Sequence, residues 1–108
     1  MPIYPAAAMI PEEAIPLIEH IDAVIDLLKS KECDDIVSYL VYYKSRIKND
    51  FTATLICGDL AGMCRPEAWG DRYIGGMDRA TWLVLLNRLQ SVCISTFNDI
   101  KKRQAATP

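Results

Sequence analysis

The fold is decided by residues 78–103, DRATWLVLLNRLQSVCISTFNDIKKR. Trp82, Leu86, Leu89, Cys93, Thr96 and Ile100 recur at steps of four, three, four, three and four, which puts them on one face of an α-helix. Asp78 follows the Gly75–Gly76 break and suits the N-cap. Lys101, Lys102 and Arg103 close the helix, where cations offset the carbonyl end of its dipole. Arg79 to Arg103 is 25 residues, about 37 Å of helix. The segment is richer in apolar groups than one stripe requires. Trp82-Leu83-Val84-Leu85-Leu86 is unbroken, and Val92, Ile94 and Phe97 add a second side. A helix apolar on most sides is central in its bundle or lies against another chain.

Two more helices are predicted upstream. The first runs from Glu12 to Lys29, with Pro11 and the acids Glu12 and Glu13 at its start; Pro16 could delay it to Ile15. Ala14, Ile18, Ile21, Ile25 and Leu28 form its stripe, widened by Leu17 and Val24. The second is expected to take Asp34 as N-cap and to bury Ile36, Leu40, Tyr43 and Ile47, with Phe51 one turn further on. It ends at Asn49-Asp50 or continues to Cys57, with Gly58 as its cap. The β-branched Thr52 and Thr54 also suit a short strand over 51–57. A lone strand would have no partner, so helix is preferred.

From Gly58 to Asp78 the periodicity fails, and Gly62, Pro66, Gly70 and Gly75-Gly76 punctuate the chain. Such a stretch packs as a structured loop through Leu60, Met63, Trp69, Tyr73 and Ile74, or is functional, or both. Residues 1–11, with three prolines, read as an extended arm, and 104–108 as a frayed tail. The expected fold is therefore all-α: one domain over 1–108, three principal helices and a Gly-punctuated irregular segment. At 108 residues and 51% apolar composition the chain can build a real core. A compact domain of this length has a radius of gyration of about 13 Å.

The longest uncharged stretch, Met1 to Pro11, is 11 residues, short of the 18 or so that span a bilayer. Twelve basic and 14 acidic residues give a net charge of −2, not the basic balance of a dedicated nucleic-acid binder. The distribution is uneven. Residues 1–30 carry five acids against one base, and residues 79–108 one acid against five bases. These ends are expected to pack together, to offset helix dipoles, or to steer a charged partner. Cys33, Cys57, Cys64 and Cys93 lack CxxC spacing, and the N-terminus lacks the basic and apolar regions of a signal peptide. Buried, reduced thiols in a cytoplasmic protein are the expectation. His20 is the only imidazole and no spacing suits zinc, so neither metal nor cofactor is expected.

Catalytic readings are weak. The 58–78 segment offers Asp59, Arg65, Glu67, Asp71, Arg72 and Tyr73, but ion pairing across a loop explains them more simply than acid–base work. No phosphate-binding glycine motif is present, and Asp78 would occupy the anion position at the last helix. A nucleic-acid-associated regulator would use Lys44, Arg46 and Lys48 with the Lys101–Arg103 cluster; this is the first alternative, and a small enzyme or ligand-binding protein using 58–78 the second.

The favoured reading is a small non-enzymatic protein-binding module. It would act as an inhibitor, adaptor or regulatory subunit of a larger complex, in the manner of a mobile-element accessory protein. Tyr39, Tyr42 and Arg46 share one outward surface at helical spacing, and Tyr and Arg are enriched at binding hot spots. Arg65, Trp69, Arg72 and Tyr73 complete the expected contact set, with Trp69 and Tyr73 as anchors. Leu83, Val84 and the lower apolar side of the last helix are the candidates for self-association as a homodimer.

Overall fold

The computed structural model describes residues 9–106. Among them the chain forms four α-helices and no strand: α1 (Ile15–Leu28), α2 (Asp34–Arg46), α3 (Asp50–Met63) and α4 (Arg79–Ala106). Short 3-10 turns at Glu12–Ala14 and Trp69–Asp71 precede α1 and α4. Residues 1–8 of the expected arm and 107–108 of the expected tail lie outside the described residues.

The all-α bundle is the predicted one, but it has four principal helices instead of three. The difference arises at Asn49 and Gly58. Ile47 is extended, which ends α2. Asn49 then starts a new helix through a reciprocal cap: Thr52 N–H donates to Asn49 Oδ1 at 2.9 Å, and Asn49 N–H donates to Thr52 Oγ1 at 3.0 Å. The β-branched Thr52 thus serves as a capping residue, not as strand. Gly58 does not cap; α3 runs through it and through Gly62 to Met63. The irregular segment accordingly shortens to 64–78. Phe51, expected to extend the α2 stripe, belongs to α3 and is 73% exposed.

Other boundaries follow local chemistry. Pro16 has no N–H to give and is tolerated only in the first turn, so the α-helix begins at Ile15 and Glu12–Ala14 is a 3-10 turn. Cys33, not Asp34, is the N-cap residue of α2; Asp34 and Asp35 occupy its first turn, where their charge suits the dipole. Asp78 caps α4 as expected, accepting from Thr81 N–H at 2.7 Å, after a turn that Gly76 makes with φ +75. Residues 104–106 are helical, not frayed.

The stripes read from the sequence are buried. Trp82, Leu86, Leu89, Cys93, Thr96 and Ile100 all lie inside, as do Ile36, Leu40, Tyr43 and Ile47. In α1, Leu17 and Val24 are buried with Ile21, Ile25 and Leu28, as is Ala14 in the preceding turn, while Ile18 is half-buried. Helix α4 is the spine. It packs along α3 on one side and against α1 on the other, while α2 bridges α1 and α3. Helices α3 and α4 run antiparallel, since Gln90 Nε2 donates to the Ala61 carbonyl at 3.0 Å and Arg103 reaches Asp50 at the opposite end. With 28 residues, α4 is about 42 Å long and sets the long axis of a 51 × 27 × 18 Å molecule. The radius of gyration is 15.1 Å, larger than the compact value expected from chain length.

The loop is tied down beneath. Trp82 Nε1 donates to the Trp69 carbonyl at 2.8 Å in the core, and Ile74 is buried beside them. All four thiols are free and buried. Burial pushes Cys57 up to about 11 and Cys64 up to about 12, and raises Cys33 and Cys93 too. At neutral pH they are protonated core groups.

The opposite charges of the two chain ends meet. Arg103 Nε donates to Glu13 at 2.5 Å, and its Nη2 donates to Asp50 at 2.8 Å. Gln104 also reaches Asp50, which keeps the last turn of α4 helical. The Arg103 guanidinium holds both carboxyls below their ordinary values of 4.5 and 3.8. Such carboxylates stabilise the fold at neutral pH, and that contribution fades as pH falls through their lowered folded-state values. Arg103→Gln is therefore predicted to flatten the acid limb of a stability–pH curve below about pH 4.5; a limb identical to wild type in urea titrations would contradict the clamp. Leu89→Ala, at the centre of the α4 stripe, is predicted to cost about 2–5 kcal/mol in chemical denaturation.

Candidate interaction surface

Helix α2 presents two faces. Ile36, Leu40 and Tyr43 turn inward and fix its rotation, so Tyr39, Tyr42 and Arg46 turn outward at i, i+3 and i+7. Tyr39 and Tyr42 are 49% and 54% exposed. Both rings rest on a buried aromatic floor. Tyr39 stacks on Tyr43 at 6.2 Å between centroids, Tyr42 tilts against Tyr43 at 5.9 Å, and Tyr39 tilts against Trp69 at 6.3 Å. The Arg46 guanidinium lies 6.0 Å from the Tyr42 ring centroid, a cation–π arrangement. Asp35, Ser38, Tyr39 and Tyr42 line a shallow, open depression along this face.

Arg72 borders it from the loop, pairing with Asp35 through both terminal nitrogens, the second at 3.0 Å. The pairing holds the Asp35 carboxyl below its usual range. Tyr39, Tyr42, Arg46 and Arg72 are thus brought to one surface. Trp69 is a correction: at 4% exposure it is the floor beneath Tyr39, not an outward anchor. Its main-chain carbonyl accepts from the Trp82 indole, which fixes the loop backbone there. Arg65 turns to the end of α3, where its Nε donates to the Gly62 carbonyl at 2.9 Å. Tyr73, expected to pack in the loop or to anchor a partner, is 86% exposed on the chain beyond the 3-10 turn.

The other candidate groups separate. Lys44 pairs with Asp22 at 2.7 Å and Arg103 is clamped, which removes one cation from each basic cluster. In the segment proposed for catalysis the charges pair off: Arg65 with Glu67 at 4.0 Å and Arg79 with Asp71 at 3.7 Å, while Arg72 goes to Asp35. Among the described residues no group of three His, Cys, Asp or Glu side chains is placed to hold a metal ion. Leu83 is half-buried, while Val84 is exposed at the rim of a groove between α1 and α4, with His20 and Arg88.

A second exposed apolar surface joins the lower apolar side of α4, expected as a self-association face, to a part of α3 outside the expected contact set. Phe51 and Leu55 stand out from α3, while Ile94 and Phe97 stand out from α4 beside it. The α3 half is legible in the spacing of Phe51 and Leu55, but an α2 extended to Phe51 and a helix end at Gly58 hide it. Among the described residues no helix is long and apolar enough to cross a membrane. Comparison of the chain with protein-family models, with curated proteins and with solved structures finds no match.

His20 illustrates how a lone imidazole behaves here. Its Nε2 is buried without a partner, and burial, then the nearby Arg88, lowers its pKa from 6.5. The unfolded chain therefore takes up this proton at higher pH than the folded chain, so the stability tied to neutral His20 is complete above about pH 6.5 and declines below it. His20→Gln is predicted to remove that decline; denaturation at pH 7.5 and 5.0 measures it, and an unchanged difference between the two would refute it.

Proposed function

We propose that the chain is a small non-enzymatic protein-binding module, acting as an inhibitor, adaptor or regulatory subunit, with the Tyr39–Tyr42–Arg46 stripe of α2 as its contact surface. The observation that carries this is the aromatic floor. Tyr39 packs on Tyr43 and Trp69, and Tyr42 packs on Tyr43; such contacts restrict the exposed rings before a partner arrives, which lowers the side-chain entropy lost on docking. Each offers a large apolar ring and a hydroxyl to a partner, the combination enriched at hot spots. The Arg72–Asp35 pair and Arg46 give the rim polar groups that fix orientation. Four unpaired thiols suit a reducing, cytoplasmic setting.

The nucleic-acid alternative gains less support, because Lys44 and Arg103 already neutralise acids of this chain. The enzyme alternative rests on a segment whose charges are paired in the same way.

The test is capture from a native lysate with the wild type and with the double variant Tyr39→Ala, Tyr42→Ala. Both side chains are half out in solvent, so melting is predicted to change little. Binding is predicted to weaken by more than about tenfold, since truncation of a hot-spot tyrosine costs roughly 1–2 kcal/mol or more. Equal capture by both proteins would remove the stripe from consideration.

A further inference from the structure

Helix α3 carries an outer face that its own chain does not cover. Phe51, Leu55, Gly58 and Gly62 recur at steps of four, three and four, so they lie in one row opposite the buried Ala53, Ile56 and Leu60. Phe51 and Leu55 are largely exposed, and a methyl group added at Gly58 or Gly62 would meet nothing within 4 Å. Neither glycine has the positive φ that would require it. Glycine within a helix is unfavourable relative to alanine, and nothing inside this molecule explains two of them one turn apart. The row reads large, large, small, small. Reversed, it is its own complement: in an antiparallel pairing Phe51 falls opposite Gly62 and Leu55 opposite Gly58, twice over.

We infer that this face of α3 binds the same face of a second copy of the chain, antiparallel about a twofold axis, each Phe51 and Leu55 seating over the glycines of the other copy. The spacing is that of a helix–helix seam, and glycines let the backbones approach closely. The surroundings suit a self-contact. The four residues of the row and residues 89–98 of α4 carry no charged side chain, and Asp59, the one charge between Phe51 and Gly62, stands off the row at its edge. Ile94 and Phe97, one and two turns beyond Gln90 on the side of α4 that meets α3, widen the face. Antiparallel helices also oppose their dipoles. Lys101, whose ammonium lies 5.6 Å from the Phe97 ring centroid, sits at the end where the other copy's α3 carbonyls would arrive. The area sets the strength. A face about 21 Å long and two helix widths across is roughly 400 Å² per copy, half that of a standard stable interface. The dimer is therefore weak, forming at micromolar concentrations and above. This seam is separate from the tyrosine stripe on α2 and does not depend on it.

Sedimentation equilibrium over about 5–500 µM tests the pairing. Wild type is expected to pass from monomer to dimer across that range. Leu55→Lys and Gly58→Asp, each at an exposed position, are expected to stay folded by circular dichroism and to weaken association by about tenfold or more. Mixed in equal amounts, they are expected to recover a dimer, because residue 55 of one copy faces residue 58 of the other. Should Gly58→Asp fail to fold, Phe51→Lys mixed with Gly62→Asp tests the same axis. A wild type monomeric at every concentration overturns the inference. So do single variants that dimerise like wild type, which would move the seam elsewhere, for example to Leu83 and Val84. A mixture that stays monomeric overturns the register, and with it the proposal.

Discussion

Everything in this molecule depends on burying one stripe of α4. Trp82, Leu86, Leu89, Cys93, Thr96 and Ile100 form a continuous inward row. No other helix is long enough to touch both ends of the bundle. Helices α1 and α3 are held on either side of that row, and α2 closes over them. The loop is secured to the same row, because the Trp82 indole donates to the Trp69 carbonyl. That bond fixes the backbone at Trp69, whose buried ring supports Tyr39. A surface feature on α2 therefore inherits its rigidity from α4.

The price of a long spine is surface. At 51 × 27 × 18 Å the bundle is elongated, and an elongated body has more area to cover than a compact one of equal volume. A chain that is 51% apolar cannot hide all of its apolar groups in that shape. Phe51, Leu55, Ile94, Phe97, Tyr39 and Tyr42 are among those left outside. They fall on two faces of different chemistry. On α2 the rings carry hydroxyls and sit beside arginines; on α3 and α4 the groups are purely apolar and interrupted by glycine. The first face suits a polar-rimmed partner and the second a flat, dry contact.

Charge works at the edges of this arrangement. The acid-rich first third and the base-rich last third meet at a single residue, Arg103, which binds Glu13 from before α1 and Asp50 from the first turn of α3. The clamp draws three separated parts of the chain to one end of the bundle. Elsewhere the ion pairs, such as Lys44 with Asp22 and Arg72 with Asp35, lie at the surface and mainly fix where side chains point.

The sequence by itself determined the inward row of every helix it recognised, because a spacing of three and four residues admits only one buried face whatever packs against it. Ile36, Leu40, Tyr43 and Ile47, and the α4 row, were legible for that reason, and the outward placement of Tyr39, Tyr42 and Arg46 follows from it. The all-α class and the Asp78 cap were legible as well. Only the tertiary structure decided where helices begin and end around Asn49 and Gly58. Glycine is compatible with both a helix end and a helix interior, and packing of Ala53, Ile56, Cys57 and Leu60 against α4 carries α3 through it. The same packing turned Phe51 outward and Trp69 inward. Local sequence sets which side of a helix is apolar; which of two apolar residues wins the interior is set by the neighbours that long-range contacts bring beside it.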